Sequence, residues 1–335
     1  MYPVLFGEGE WALPSYFAML MLGYMLAVYL LRWQVIQRGL DVRRAVDIAL
    51  VLLLAGVIGA RLAHVLFDGY LQDYIDLCRN PDAMGKPLPD GSPCASDGEC
   101  LDFQDKGFDI GSVCKEVEGK GRVCVPEQDC LRALKFWSGG LTYYGGLLLA
   151  MLAAVVLTRR WGFRFLDYAD MTAPGIALAL AFGRIGCFLS GCCFGGVCEA
   201  PWAVHFPAGS DAWRLHRREH WPELVAQYRA SGVWESLSVH PTQLYESGAM
   251  LLTFALLWFG LRKRRRFEGQ SIAWLMILYS LVRFTIEFWR ADQRGGVGWF
   301  STSQWISVPL LLLGVYLLWR GSKQQSVSSE SAQKD

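Results

Sequence analysis

Three arginines stand inside apolar stretches of this chain: Arg61, Arg184 and Arg283. Charge at membrane depth is costly and marks function by default. Glu287 follows Arg283 by four residues, which puts both on one helix face. Guanidinium forks match the geometry of a phosphate. The competing readings are a private Arg283–Glu287 pair, or arginines that snorkel to the interface. Other segments fall at the same level. Tyr16 opens the first apolar run. Trp137 to Gly146 carries two glycine pairs, Gly139-Gly140 and Gly145-Gly146, with Tyr144 between them. Such pairs let a headgroup approach closely or let helices pack. His240-Pro241-Thr242-Gln243-Leu244-Tyr245-Glu246 opens a later run. There His240, Gln243 and Glu246 read either as lining a polar cavity or as capping the helix. Several arginines in the outer half of a bilayer imply an anion, and the phosphate of a phospholipid headgroup is the obvious one.

Helices long enough to span a bilayer must position these groups. A span needs about 20 mostly apolar residues. Seven segments qualify: Trp11 to Leu31, Ile48 to Phe67, Phe136 to Thr158, Met171 to Leu189, Ser247 to Leu261, Gly269 to Phe288 and Gly295 to Trp319. Basic residues then set the orientation. Arg32, Arg38, Arg43 and Arg44, then Arg159, Arg160 and Arg164, then Arg262 to Arg266, then Arg320 and Lys323 all fall on one side of a seven-span chain. That side is predicted to be cytoplasmic, with the N-terminus outside and the C-terminus inside. The three arginines then sit near the outer ends of their helices, and the inner ends show only basic loops. No Lys or Arg occurs in the first 31 residues, which argues against a cleaved secretory leader.

The predicted fold is therefore an all-α polytopic membrane protein. Residues 1–68 hold spans one and two, and 69–135 form a cysteine-rich extracytoplasmic insertion. Residues 136–320 hold spans three to seven, with an outer arm at about 194–243. Residues 321–335 form a polar tail expected to be disordered. The composition agrees: 53% of the 335 residues are hydrophobic and 19% charged, with 32 Lys plus Arg against 31 Asp plus Glu. That balance excludes the basic profile of a nucleic-acid binder and an acidic disordered chain. No Walker loop, dinucleotide fingerprint, His-Glu-x-x-His motif or Gly-x-Ser-x-Gly elbow occurs. Nucleotide hydrolysis and serine-hydrolase chemistry are poor fits.

Ten cysteines divide into two groups. Cys78, Cys94, Cys100, Cys114, Cys124 and Cys130 lie in the insertion, which has no His and no Cys-x-x-Cys. They read as up to three disulfides. Cys187, Cys192, Cys193 and Cys198 surround the outer end of span four. Vicinal Cys192 and Cys193 do not easily point at one ion, so a disulfide from Cys198 to Cys192 or Cys193 is expected rather than a metal site. A redox role is the sharper alternative.

Three segments resemble the prolipoprotein diacylglyceryl transferase family: Gly183-Arg184-Ile185-Gly186-Cys187-Phe188-Leu189-Ser190-Gly191, the His240 to Glu246 block, and Arg283-Phe284-Thr285-Ile286-Glu287-Phe288-Trp289-Arg290. Gly59-Ala60-Arg61-Leu62, the double-glycine segment and Tyr16 add weaker support. The resemblance implies a multi-pass protein of the bacterial inner membrane with its site toward the outer leaflet. Its partners would be phosphatidylglycerol and a prolipoprotein signal peptide with a lipobox cysteine. The diacylglyceryl group would pass to that thiol and glycerol phosphate would leave, with no cofactor and no metal.

The resemblance also implies roles. Arg184 and Arg283 would hold the phosphodiester and Glu287 would orient an arginine. Tyr144 and His240 are the remaining catalytic candidates. Tyr16, Arg61, Gly139, Gly140, Gly145, Gly146, Gln243, Tyr245 and Glu246 would bind substrate. Tyr144 stands where the family usually has its proposed histidine base. Cys187 and Ser190 replace asparagines, and Cys192 a glutamate. The thiol proton would then go to His240, His64 or Glu246, or no strong base is needed. Two other functions stay open: a paralogue with a different acceptor, and a thiol oxidoreductase using Cys187, Cys192, Cys193 and Cys198.

Overall fold

The apolar runs become helices in the computed structural model, which describes residues 4–6, 13–79, 103–105, 108–110, 112–117, 121–126, 128–135, 142–291, 296–297 and 299–331. Seven helices among them are long and apolar enough to cross a membrane: Ser15–Gln37, Val42–Phe67, Tyr143–Arg160, Phe165–Ser190, Thr242–Arg264, Gln270–Trp289 and Thr302–Gln325. Each overlaps an expected span. The protein is thus a polytopic all-α membrane protein. Leu54, Leu148, Leu252, Phe259 and Leu312 are all exposed on these helices, as lipid-facing side chains must be.

In chain order the helices are α1 (Ser15–Gln37), α2 (Val42–Phe67), α3 (Leu71–Arg79), α4 (Tyr143–Arg160), α5 (Phe165–Ser190), α6 (Asp211–Glu219), α7 (Trp221–Ser231), α8 (Thr242–Ala255), α9 (Gln270–Ile286) and α10 (Thr302–Ser331). A π-turn, Leu256–Leu261, carries α8 onward to Arg264. The helix α10 runs to Ser331, well into the polar tail expected to be disordered. Phe136 to Leu141, assigned above to the third span, lies outside the described residues.

Two compact units are present, residues 1–46 with 163–335, and residues 47–162. In the first, α1 and α5 pack antiparallel through small residues. A Cβ on Gly175 would meet Ala27 at 3.0 Å, and one on Gly23 would meet Phe182 at 3.0 Å. Ala173 and Ala177 of α5 face Leu257 and Leu275 in a buried cluster, so small side chains there admit two further helices. The arm between α5 and α8 has its own core of Phe194, Phe206, Ala212 and Val239. Ser210 caps α6 by accepting the Trp213 amide.

The second unit contains most of α2, with α3, α4 and two antiparallel hairpins, Phe103–Asp105 with Phe108–Ile110 and Ser112–Val117 with Gly121–Pro126. Cys78 is bonded to Cys130, and Cys114 is also in a disulfide. Gly145 and Gly146 pack α4 on α2. A Cβ on Gly145 would strike Ala63 and the Gly59 carbonyl oxygen, and one on Gly146 the Gly56 oxygen at 2.6 Å. Helix packing, one of the two readings of these glycines, is therefore what the contacts show. Gly139 and Gly140 lie outside the described residues.

The expectation that polar groups gather at one end only is corrected. Within the first unit the end holding the start of α5 carries its own buried network. Asp167 lies 2.7 Å from Arg38 and 2.5 Å from Arg265. Asp170, buried, accepts the Gly269 amide at 2.8 Å and the Ile272 amide at 3.0 Å, which satisfies the start of α9. Arg262 lies over the adjoining rings of Trp33 and Trp258, with its guanidinium carbon 4.4 and 4.5 Å from the ring centroids.

Candidate functional site

At the opposite end of that unit the three sequence blocks meet. Arg184 comes from the last turns of α5, Glu246 from the first turns of α8, and Arg283 from the last turn of α9. Arg184 Nε lies 3.0 Å from Glu246 Oε1. Arg283 Nη1 donates to Glu246 Oε2 at 3.4 Å. Arg283 Nη2 donates to Ser303 Oγ of α10 at 2.8 Å and lies 3.2 Å from Glu287 Oε2. Arg290 Nε is 3.9 Å from the same Glu287 oxygen. One carboxylate thus bridges two guanidinium groups, and a second flanks the pair. Glu246 and Arg283 are buried, so each charge is compensated locally, as burial requires.

The signature segment is packed tightly around this pair. Tyr16 of α1 lies against Gly186, where a Cβ would meet the Tyr16 backbone at 3.0 Å. The α5 helix ends at Gly191, in the left-handed region. Gly195 and Gly196 then thread between the other two blocks. Gly195 donates to the His240 carbonyl at 3.0 Å, and Gly196 to the Trp289 carbonyl at 2.8 Å. Gln243 Nε2 donates to the Cys192 carbonyl at 2.7 Å, and Thr242 Oγ1 to the Cys193 carbonyl at 2.9 Å. Gln243 Oε1 is buried with no hydrogen-bond partner among the described residues. No side chain caps α8, so the capping reading of His240, Gln243 and Glu246 is set aside. Tyr245 joins His240, whose Nδ1 is 3.2 Å from its hydroxyl, to Trp202, whose Nε1 donates to that hydroxyl at 2.7 Å.

The four cysteines around this turn are reduced thiols, none of them in a disulfide. The expected disulfide from Cys198 is absent, and Cys198 is instead drawn to the backbone and side chain of Ser238. Its amide donates to the Ser238 carbonyl at 3.0 Å and its carbonyl accepts from Ser238 Oγ at 2.7 Å. Hydrogen bonds to the Cys187 and Cys193 thiols push the Cys192 thiol up from its usual range, aided by burial.

Arg61 belongs to the second unit. Its Nε donates to the Ala133 carbonyl at 2.8 Å and its Nη2 to the Arg132 carbonyl at 2.5 Å, with the guanidinium over the Tyr74 ring. It is held by the end of the insertion. His64, in the same unit, has Nδ1 3.2 Å from Asp68 Oδ2, and Tyr144 is exposed and edge-on to Tyr143. Ser303, Trp202 and the Trp289 carbonyl were not foreseen. Ser303 and Trp202 have no motif, whereas the Gly195-Gly196 pair was a readable sign of a close backbone approach.

A sequence model described as prolipoprotein diacylglyceryl transferase matches residues 3–84 and 123–320, leaving out the middle of the cysteine-rich segment. A phosphatidylglycerol–prolipoprotein diacylglyceryl transferase of Clostridium tetani is 27% identical over 318 residues, covering 95% of this chain and 96% of that protein. One from Xanthomonas campestris pv. campestris is 34% identical over 192 residues, 55% of this chain and 62% of its own length. Clostridium perfringens has a second such transferase, 34% identical over 194 residues, 57% of this chain and 66% of its own. The chain thus spans less than two thirds of the latter two and nearly all of the first. The matched residues contain all three blocks that meet at Glu246, and this chain belongs to the prolipoprotein diacylglyceryl transferase family.

Proposed function

We propose that this chain transfers the diacylglyceryl group of phosphatidylglycerol to the lipobox cysteine thiol of a prolipoprotein signal peptide, releasing glycerol phosphate. The observation that carries this reading is the Arg184–Glu246–Arg283 bridge. Family membership supports the substrate pair. Neither comparison supports a different acceptor or a thiol oxidoreductase.

In the reaction a thiolate attacks the glyceryl carbon, and the bond from that carbon to the phosphate oxygen breaks. Negative charge grows on the departing phosphate. Arg184 and Arg283 hold the phosphodiester and stabilise that charge. Glu246 and Glu287 fix the guanidinium groups before substrate arrives, so little reorganisation accompanies charge build-up. The unpartnered Gln243 Oε1 accepts a hydroxyl of the glycerol headgroup. Tyr16, His240 and Tyr245 wall the headgroup. The site faces the outer leaflet of the bacterial cytoplasmic membrane. The support for this is that Arg38 and Arg265, of the basic loops, pair at the other end of the unit.

The test incubates purified protein with labelled phosphatidylglycerol and a lipobox peptide. Thioether-linked peptide and glycerol phosphate are expected. Arg184→Ala should lower the rate by about 10²–10³, the loss of one charge-stabilising donor. Absence of product from well-folded wild-type protein would overturn the proposal.

A further inference from the structure

The turn after α5 converges three thiols. The ligand atoms of Cys187, Cys192 and Cys193 all lie within 4.8 Å of one another. Adjacent side chains normally diverge, and here the backbone supplies the convergence. Cys193 has φ 65°, the one non-glycine residue in the left-handed region among those described. That conformation is strained in an L-residue and persists only where its surroundings impose it. Two neighbours impose it: Gln243 holds the Cys192 carbonyl and Thr242 the Cys193 carbonyl. Packing alone does not call for this strain, since a glycine at 193 would fill the turn without it.

We propose that Cys187, Cys192 and Cys193 bind one thiophilic divalent cation of the zinc class, and that the acceptor's thiol takes the fourth coordination position. This rests on the transferase reading above. Zinc–sulfur bonds of about 2.3 Å in a tetrahedron separate sulfurs by roughly 3.8 Å, inside the observed 4.8 Å envelope. The group contains no fourth His, Cys, Asp or Glu among the described residues. Three protein ligands with an open position are the pattern of reactive rather than structural zinc. Arg184 interacts electrostatically with Cys187 and Cys193 as well as with Glu246, so its guanidinium offsets part of the negative charge of a thiolate-ligated site. The same guanidinium grips the phosphodiester, which brings a metal-held thiolate beside the carbon it attacks. On binding, the acceptor thiol gives its proton to water. A sulfur–carbon bond then forms, the carbon–oxygen bond to phosphate breaks, and the electron pair leaves on glycerol phosphate. The neutral thioether is a poor ligand and departs. This arrangement supplies a thiolate without the histidine base that Tyr144 replaces.

The experiment titrates reduced, full-length protein in detergent with Co(II) as a spectroscopic stand-in. One equivalent should bind, with thiolate charge-transfer and tetrahedral ligand-field bands, and one equivalent of Zn(II) should displace it. Cys187→Ser and Cys193→Ser should weaken binding at least tenfold, while Cys198→Ser should not. A lipobox peptide should shift the ligand-field bands and its Cys→Ser version should not. No uptake by the wild type, binding of Cu(I) alone, or recovery of a disulfide in place of metal overturns the site. Bands indifferent to the peptide overturn the acceptor's role. A peptide-sensitive Co(II) site without diacylglyceryl transfer leaves the site standing and sinks the transferase reading.

Discussion

Arg184 and Arg283 are fastened to opposite oxygens of a single buried carboxylate, Glu246, at 3.0 and 3.4 Å. The two guanidinium groups come from different helices, so Glu246 sets the distance between them. Glu246→Gln keeps the shape and removes the charge. Its expected effect falls on kcat, by about 10²-fold if one donor is misplaced, with KM for phosphatidylglycerol little changed or lower because the net positive charge rises. Glu246→Ala takes the paired carboxylate from Arg184 and leaves Arg283 with Glu287 alone, and should lower stability by about 3–5 kcal/mol. Steady-state kinetics beside thermal denaturation separates the two. A KM effect alone in Glu246→Gln would contradict a positioning role.

The junction of the three blocks is a backbone contact, and it makes a sharp contrast between adjacent glycines. A Cβ on Gly195 would lie 2.6 Å from His240 Cβ and 2.7 Å from the Trp289 oxygen, whereas one on Gly196 would meet the Trp289 oxygen only at 4.0 Å. Gly195→Ala should therefore cost about 1–3 kcal/mol, the range for overpacking, and pull His240 from its place. Gly196→Ala should be close to neutral. Folded yield and thermal inactivation of the pair would show it; equal behaviour would refute the close approach.

The spans and the grouping of Arg184, Glu246 and Arg283 were legible because a bilayer forces long apolar runs and makes every charge within them conspicuous. Of the pair identities only that of Arg283 with Glu287, 3.2 Å apart, was legible. Spacing along one helix pointed to Arg283 with Glu287, and only the packing of α8 against α5 and α9 shows that Glu246 is the shared partner. Arg61 resembled the other two in sequence, but its partners are carbonyls of a distant segment, which no side-chain pattern announces. Starting the fourth span at Met171 cut off Asp167 and Asp170, and with them the network at the other end. The convergence of the vicinal thiols was also hidden, because it depends on the left-handed φ of one residue.

Asp170 offers a second measure of that far network. It accepts two amides at the start of α9 and lies 3.2 Å from Arg265. Asp170→Asn should destabilise the protein by about 1.5–3 kcal/mol, the worth of a hydrogen bond to a charged group. Turnover per folded molecule should be unchanged, since the site is at the opposite end of the unit. Thermal inactivation in detergent, with activity normalised to folded protein, checks both. A large fall in normalised activity would mean that the two ends are coupled.

His216 gives the arm between α5 and α8 a pH dependence whose sign follows from its hydrogen bond. The ring is buried, and its Nδ1 accepts the Leu237 amide at 3.1 Å. Burial, with His220 nearby, holds its pKa below the usual histidine value, against a smaller opposing pull from Glu219. The unfolded chain therefore takes up a proton before the folded one does. The contribution of His216 is complete above about pH 6.5 and falls as the pH drops below that value toward the lowered folded pKa. The protection factor of the Leu237 amide, its exchange rate relative to an unstructured amide at the same pH, should fall below pH 6.5 in the wild type. His216→Gln keeps an acceptor without the titration and should flatten that profile. An unchanged profile in the variant would assign the effect to other groups.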